Sequence, residues 1–433
     1  MVQILPFVGW RYDLSQVGAL SDVSVPPSVL VDEALQRTLY RQHPCNAVRL
    51  VINREEPGDA SPQDCSVRAD EFWRLWKREG VLLHEHDGAF YIIETTYQLS
   101  GEERTRWSVI ARLGLPDAAS ETTNDLYSVV ESDPSTIARA TELRRICNAS
   151  LVPAVALLAD VTGEDSDPRS LSDHFEFVVR LVPPVECIED NGTRHRMWPI
   201  TDQTKKRELQ ARLGHFSVCF IGGSAEYHAA IATKDLDLSN DPNDPTKTVL
   251  TCLIPADDPG VDFLPHVLLQ NVAATFSGSD AQTQLGTQLH CQPVGNEPTA
   301  GDDATELARL NSQQPCVAVG TPDGAWMIVS PHVTNEPMES GALVQQICSI
   351  IGQATSESGT AVTQCLPQNG ADFGKFLQHS KSKGLLIVEP PETAADVAAR
   401  GATAPKLREE ALRLYPSIPT GLVFSLMGIS RLP

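Results

Sequence analysis

The stretch from Cys219 to Ala232, CFIGGSAEYHAAIA, holds the residue types from which many proteins build a phosphate site. An apolar run ends in Gly222 and Gly223, and a short polar turn follows. We predict a strand over residues 218–221, a turn at the glycines and a helix from Ala225, with Ser224 as its N-cap. Glycine lets a backbone approach a ligand closely, and the free N–H groups at a helix N-terminus favour an anion.

The charge at this turn argues against a bound phosphate. Glu226 falls in the first turn of the predicted helix, where a carboxylate stabilises the empty helix end through the macrodipole and opposes an anion. The local chemistry therefore favours a structural cap at an exposed cleft edge. A ligand-binding role stays open, and its candidate residues are Gly222, Gly223, Ser224, Glu226, Tyr227 and His228, with Asn46 and Arg49 from an earlier segment.

Two other patterns resemble a metal site and a phosphate-binding loop, but both lack a required feature. His84, Glu85 and His86 would place two imidazoles on one face of a strand, but no third ligand of metal-site spacing lies nearby. The glycine pair in GADFGK, residues 370–375, has one residue too few between its glycines for a phosphate-binding P-loop. We therefore predict no metal site at His84 and His86, and a loop without a phosphate-binding role at residues 370–375.

Charge and composition restrict the partners. The chain has 34 Lys and Arg against 56 Asp and Glu, a net charge of −22, which repels nucleic acids and anionic lipids. The first residues lack the basic and apolar regions of a signal peptide, and no apolar run reaches membrane-spanning length. The ten cysteines are dispersed without a C-x-x-C pair. We expect a soluble cytoplasmic protein with no nucleic-acid or membrane partner.

The order of strand and helix patterns predicts an α+β fold with mixed sheets and flanking helices. We expect an N-terminal α+β domain over residues 1–234 that carries the glycine turn. Segment 235–248 is polar and is interrupted by prolines, which predicts a linker. Residues 249–433 are predicted to form a C-terminal α+β domain.

Short segments along the whole chain are similar to those of one family. LPFVGWRYDLSQVGALSDVSVPP, HPCNAVRLVI, MWPITD, ADDPGVDFLP and LYPSIPTGLVF occur in the order of that family's motifs. The chain thus resembles the bacterial and archaeal domain-of-unknown-function family numbered 1015. This resemblance implies a ParB/sulfiredoxin-like element in the N-terminal half, with the family's Asp-Gly-His-His-Arg motif at the double glycine.

The polar parts of the family pattern are changed here. Gly222, Gly223, Ser224, Ala225 and Glu226 stand where the family has Asp-Gly-His-His-Arg, and Ser28 and Val29 follow Pro27 where it has Tyr-Asp. No histidine occurs where its Pro-His-Glu motif is expected, and His266-Val267-Leu268 replaces its Thr-His-Arg. Loss of up to three donors for phosphoryl oxygens would weaken phosphate binding strongly.

Three hypotheses follow. The first is a catalytically degenerate family member that binds an unknown small molecule or protein, with no cofactor. The second is an active nucleotide-dependent phosphotransferase with a remodelled site that uses ATP or ADP with Mg²⁺. Its polar groups would come from Asn46, Arg49, Glu94, Arg106, Asp202 and His228. The third is an acidic interaction module that never bound nucleotide. The oligomeric state is not predicted.

Overall fold

Side chains cap the N-termini of several helices, among them Asp13, Asp32, Asp133, Ser170 and Asp202. The computed structural model describes residues 2–27, 31–99, 101–116, 125–160, 169–180, 182–234, 244–264, 266–270, 272–273, 275–294, 310, 314–332, 340–354, 362–365, 384–401, 406–408 and 412–427. The helices are α1 (Leu14–Val17), α2 (Leu20–Val23), α3 (Glu33–Gln42), α4 (Val48–Val51), α5 (Gln63–Arg78), α6 (Pro134–Cys147), α7 (Leu171–Val179), α8 (Gln203–Leu213), α9 (Ser224–Thr233), α10 (Gly278–Leu285), α11 (Ser340–Ala354) and α12 (Ala394–Ala399).

The alternating apolar residues 90–114 fold as a hairpin that forms the middle of a mixed sheet. Nine described strands belong to this first sheet: β10 (Val185–Ile188), β11 (Arg194–Ile200), β4 (Phe90–Leu99), β5 (Glu102–Gly114), β13 (Thr248–Pro255), β9 (Ala154–Ala159), β12 (Ser217–Gly222) and β6 (Leu126–Ser128) in spatial order, with β1 (Ile4–Leu5) paired to β5. The β13–β9 and β12–β6 pairs are parallel and the others antiparallel.

Both faces of this sheet are buried. Along β4, Tyr91 and Ile93 join one core cluster, while Phe90 and Ile92 join another. Successive side chains of a strand point to opposite faces, so helices must cover both sides. Helix α5 packs with Trp73 and Trp76 against the first cluster, whereas α7 and α8 contribute to the second.

Strand β13 crosses the boundary that the sequence predicted between the two domains. The predicted C-terminal domain begins at residue 249 and so includes nearly all of this strand. The strand nevertheless pairs with β5 and β9 in the first sheet. All eight of its residues are buried, so this apolar run needs neighbours on both edges and both faces. Residues 235–243 of the expected linker lie outside the described residues. The division at 234 and 249 does not coincide with a break in the sheet. The division of the chain into two α+β domains stays a prediction.

A second sheet of six described strands is antiparallel and lies in the C-terminal half. Its spatial order is β16 (Leu289–Val294), β18 (Trp326–Pro331), β17 (Val317–Gly320), β20 (Leu385–Glu389), β15 (His266–Gln270) and β19 (Val362–Cys365). The β17–β18 hairpin turns at Pro322, Asp323 and Gly324, and Gly324 adopts φ 89° there. Together the two sheets and their helices confirm the α+β class with mixed and antiparallel sheets.

The last described residues return to the N-terminal part of the fold. β23 (Phe424–Leu426) pairs with β2 (Gly9–Tyr12) and β8 (Ala149–Ser150), and β3 (Leu82–His84) completes this sheet. Two short pairs join β14 (Asp262–Leu264) to β22 (Arg413–Tyr415), and β7 (Val130–Glu131) to β21 (Leu407–Arg408). The segment that resembles the family's terminal motif is thereby placed beside the start of the chain.

Candidate functional site

The segment around the double glycine forms the predicted strand, turn and helix. Helix α9 begins at Ser224, one residue before the predicted start at Ala225. Strand β12 ends at Gly222, and Gly223 takes the left-handed conformation, with φ 68°, at the N-cap position of α9. Ser224 is therefore the first helical residue and not the N-cap. Its side chain is fully buried, and its hydroxyl has no hydrogen-bond partner among the described residues. The prediction of a Ser224 cap was wrong because the glycine, free of a Cβ, makes the turn by itself.

Gly223 is a glycine for two structural reasons. Its positive φ disfavours any residue with a side chain. A Cβ at this position would also lie 2.6 Å from the Ala154 Cα on β9 and 3.1 Å from the Ala154 Cβ. The close approach that the sequence suggested for a ligand is thus made by the protein's own strand.

Two small cavities lie beside the first turn of α9, where α6 packs against it. Their volumes are about 30 Å³ and about 40 Å³. Glu226 lines both, together with Ala140, Leu143 and Val152. The larger one is completed by Pro26, Val51, Thr136, Arg139 and Thr420. Pockets for drug-sized ligands usually measure roughly 300–1,000 Å³, so each cavity has room for water and not for a nucleotide.

Arg144 lines the smaller cavity, but its donors are used by the protein. The guanidinium donates to Thr233 Oγ1 at 2.9 Å and to the Thr248 carbonyl oxygen at 2.8 Å, and it also donates to Ser150 Oγ. Burial lowers the pKa of Arg144 to about 9, since the charged form loses its hydration. Arg144 ties α6 to α9 and β13, which leaves it poorly placed to hold a phosphoryl group.

Asn46 and Arg49, two predicted ligand residues, have structural contacts around α4. Asn46 is fully buried and donates to the carbonyl oxygens of Asp22 at 2.8 Å and Ser24 at 3.4 Å. Arg49 donates to the carbonyl oxygens of His43 at 2.9 Å and Tyr40 at 2.8 Å. Neither lines the two cavities, although Asn46 holds the loop that leads to Pro26.

Tyr227 and His228 also lie away from these cavities. Tyr227 is 1% exposed, and its ring centroid is 4.5 Å from that of Phe220 in the second core cluster. The His228 ring lies 5.5 Å from the Tyr227 ring. Tyr227 therefore fills the core, and of the residues predicted at the turn Glu226 alone lines these two cavities.

The remaining polar groups of the phosphotransferase hypothesis are dispersed. Glu94 forms an ion pair with Arg196 at 2.7 Å, and Asp202 caps α8 by accepting from the Lys205 N–H at 2.9 Å. Arg106 is fully buried and donates to the carbonyl oxygens of Tyr415 at 3.0 Å and Pro416 at 2.7 Å. The structure does not bring these groups together at α9.

Thr136, Arg139 and Arg144 line the cavities beside the turn and were not predicted as its neighbours. Thr136, Ala140 and Leu143 recur at helical spacing, which indicates one face of α6. That signal was present in the sequence. It could not show which helix the face would meet, because α6 and α9 lie about 90 positions apart along the chain.

The His84-Glu85-His86 stretch contacts residues of the neighbouring strand β2. The His84 ring lies 5.0 Å from the Trp10 ring, and the Glu85 carboxylate accepts from Arg11 Nε at 2.7 Å. Within the described part of the chain, no group of three His, Cys, Asp or Glu side chains could hold a metal ion. In that same part, none of the helices has the length and apolar character needed to cross a membrane.

The chain is similar to a family of proteins and to a solved structure. The family model described as "Protein of unknown function (DUF1015)" matches residues 4–332. A solved structure of a conserved hypothetical protein from Pyrococcus furiosus aligns with a TM-score of 0.32 and 10% identity, over 69% of this chain and 90% of that one. No curated protein matches the chain. The matched family is described without an activity.

Proposed function

The chain belongs to the DUF1015 family of proteins of unknown function, and we propose that this member is a binding protein that has lost phosphate chemistry at the start of α9. In this proposal the turn is a degenerate form of the ParB/sulfiredoxin-like motif that the sequence resemblance implies. The protein would act as a binding or scaffold protein on a small molecule or protein that carries no phosphate at this site.

The observation that carries the proposal is the position of Glu226. It lies in the first turn of α9 and lines both cavities there. A carboxylate at a helix N-terminus offsets the positive end of the macrodipole, which is the feature that attracts phosphate. A phosphoryl group brought to this turn would meet a like charge.

The packing of the turn supports the same proposal. Ser224 and Ala225, which replace two histidines of the family pattern, are 0% and 2% exposed. Gly223 lies against Ala154, so the turn presents no open backbone cradle. The sequence predicted an exposed turn, whereas Ser224 and Ala225 are buried. Larger side chains at these two positions would require the surrounding residues to move.

The phosphotransferase hypothesis keeps one supporting observation. Arg139 is exposed and lines the larger cavity with Thr136, so a guanidinium and a hydroxyl lie near the helix N-terminus. An active site there would need ATP or ADP with Mg²⁺ to displace or bypass Glu226. A nucleotide-binding experiment therefore separates the two hypotheses.

The experiment is a calorimetric titration of the full chain at low salt with inorganic phosphate, Mg-ADP and Mg-ATP. We expect no saturable heat for the natural protein. Glu226→Arg should bind phosphate measurably, at least ~10-fold more tightly than the parent, since one charge-assisted hydrogen bond contributes about 1.5–3 kcal/mol. Glu208→Arg, on an exposed position of α8, makes the same change in net charge and should bind no better than the parent.

Saturable binding of either nucleotide by the natural protein would refute the loss of phosphate chemistry. If Glu226→Arg folds, as judged by circular dichroism, and binds phosphate no better than Glu208→Arg, the turn of α9 is not a former phosphate site.

A further inference from the structure

We propose that a third cavity, larger than the two beside α9 and lined in part by Ser24, Val25 and Pro26, binds a small organic cation whose ammonium group contacts Glu189. This inference concerns a different place in the fold and does not rest on the proposed loss of phosphate binding.

The cavity has a volume of about 260 Å³ and is formed by segments far apart in the chain. Its lining residues come from five segments of the chain: residues 21–26, helix α3, residues 189–191, Leu264 and residues 414–419. Several of these residues belong to the segments LSDVSVPP, DDPGVDFLP and LYPSIP, by which the chain resembles its family.

The charge of the lining favours a cation. Glu189 and Asp190 are carboxylates, and the described lining residues include no Lys, Arg or His. The other polar groups are the hydroxyls of serines and Tyr415 and the amides of Gln42 and Asn191. An anion would face two carboxylates without a compensating charge, whereas an ammonium group would find charged and neutral acceptors.

The apolar part of the lining indicates the rest of the ligand. Leu35 and Leu39 lie one turn apart on α3, and Leu264 and Leu414 come from the paired strands β14 and β22. A ligand with an apolar body would bury its carbon atoms against these side chains. Ligand sites commonly combine such a mainly apolar wall with a few convergent polar groups.

Glu189 is held in place by a buried imidazole. His195 Nε2 lies 3.0 Å from Glu189 Oε1, and His195 Nδ1 lies 3.0 Å from Thr95 Oγ1. The chain of contacts is satisfied when the Thr95 hydroxyl donates to Nδ1 and the Nε2–H group donates to the carboxylate. Asn191 Nδ2 lies 3.3 Å from the other oxygen, Oε2. His195 is thus a positioning residue that presents the Glu189 carboxylate to the cavity.

A hydroxyl, an imidazole and a carboxylate in line also occur in nucleophilic enzymes, but this arrangement cannot act in that way. Thr95 is 0% exposed and His195 is 1% exposed, so no substrate reaches the hydroxyl. The exposed end of the network is Glu189, which is the end that lines the cavity.

The wall of the cavity is formed in advance by buried hydrogen bonds. Arg106 holds the carbonyl oxygens of Tyr415 and Pro416, and Asn46 holds that of Ser24. Val25 and Thr420 exchange backbone hydrogen bonds of 2.9 and 2.8 Å. A preformed wall lowers the ordering cost of binding.

The test compares three probes of one shape on the full chain: 2-phenylethylammonium, 2-phenylethanol and 2-phenylacetate, titrated by calorimetry at pH 7 and low salt. We expect the ammonium probe to bind about ten-fold or more tightly than the alcohol, and the carboxylate probe not to bind. Glu189→Gln should weaken the ammonium probe about ten-fold and leave the alcohol unchanged. Glu186→Gln, an exposed position on the same hairpin that does not line the cavity, is the matched control.

The proposal is overturned if the ammonium probe does not bind, if the alcohol binds equally well, or if Glu189→Gln and Glu186→Gln have the same effect. The comparison of ammonium with alcohol on the natural protein decides the matter even if Glu189→Gln fails to fold. Nucleotide binding, which would refute the proposed function, leaves these outcomes unaffected.

Discussion

Gly223 lies so close to Ala154 that a methyl group on it would sit 2.6 Å from the Ala154 α-carbon. This contact joins the turn before α9 to strand β9, and it explains the second glycine of the pair without a ligand. Glycine-rich turns between a strand and a helix are often interpreted as binding loops. Here the glycine permits two pieces of backbone in one protein to pack together.

Gly223→Ala should therefore destabilise the protein by more than the positive φ alone requires. The conformational penalty is roughly 1 kcal/mol, and overpacking against Ala154 should add about 1–3 kcal/mol. The measurement is urea unfolding followed by circular dichroism. Gly80→Ala is the control, because Gly80 has a similar φ of 72° and open space around its missing Cβ. Equal losses in the two variants would show that the contact with Ala154 is unimportant.

Ser224→Ala should leave stability unchanged or raise it by up to about 1 kcal/mol. The Ser224 hydroxyl is buried without a hydrogen-bond partner among the described residues, and a buried hydroxyl without a partner is costly. Ser170→Ala should instead lower stability by about 1 kcal/mol, since Ser170 is a true N-cap that accepts from the Asp173 N–H at 3.0 Å. Thermal unfolding of both variants measures this. A comparable loss for Ser224→Ala would restore the cap that the sequence suggested.

Arg106→Lys should destabilise the protein by about 3 kcal/mol. Lysine cannot reproduce the two-pronged contact with the Tyr415 and Pro416 carbonyl oxygens, and its ammonium would be buried with poor partners. Arg104→Lys, on the same strand, should cost under about 1 kcal/mol, because Arg104 is 36% exposed where it pairs with Asp262. Denaturant unfolding of the two variants gives the comparison. A small effect at Arg106 would mean that the terminal segment is held by other contacts.

Stability should fall as the pH rises from about 9 to 11. Burial raises the pKa of the Cys252 thiol to about 11 from its ordinary value of 9.0, so the fold disfavours the thiolate. The stabilising contribution is complete below the unfolded pKa and is lost as the pH rises toward the folded value. Each thiol with this shift should account for roughly 2–3 kcal/mol by pH 11.

Cys252→Ala should flatten that pH dependence, measured as the free energy of unfolding at several pH values. Cys65→Ala, at a partly exposed thiol, should change the slope less. The slopes are compared and not the absolute stabilities, because the alanine at 252 also leaves a small cavity. An unchanged slope for Cys252→Ala would show that this thiol ionises as readily in the fold as in the unfolded chain.

Local order in this protein follows from the sequence itself. The β4–β5 hairpin follows from alternating apolar residues around Gly101, and the helix α5 from apolar residues at helical spacing. The strand, glycine and helix order from β12 to α9 follows in the same way. These features depend on residues within a few positions of one another, so the periods of strand and helix suffice to predict them. The net charge is likewise a property of the composition.

Only the tertiary structure decided what the polar residues do. Arg106 meets Tyr415 across 309 positions, and Arg144 meets the carbonyl oxygen of Thr248 across 104. Strand β13 lies near the centre of the first sheet because it pairs with β5 on one edge and β9 on the other. Both partners come from much earlier in the chain. Glu189 lines a cavity because four distant segments converge beside it. Hydrogen bonds and cavities of this kind depend on which surfaces pack together, and residue type and local spacing carry no information about a partner a hundred or more positions away.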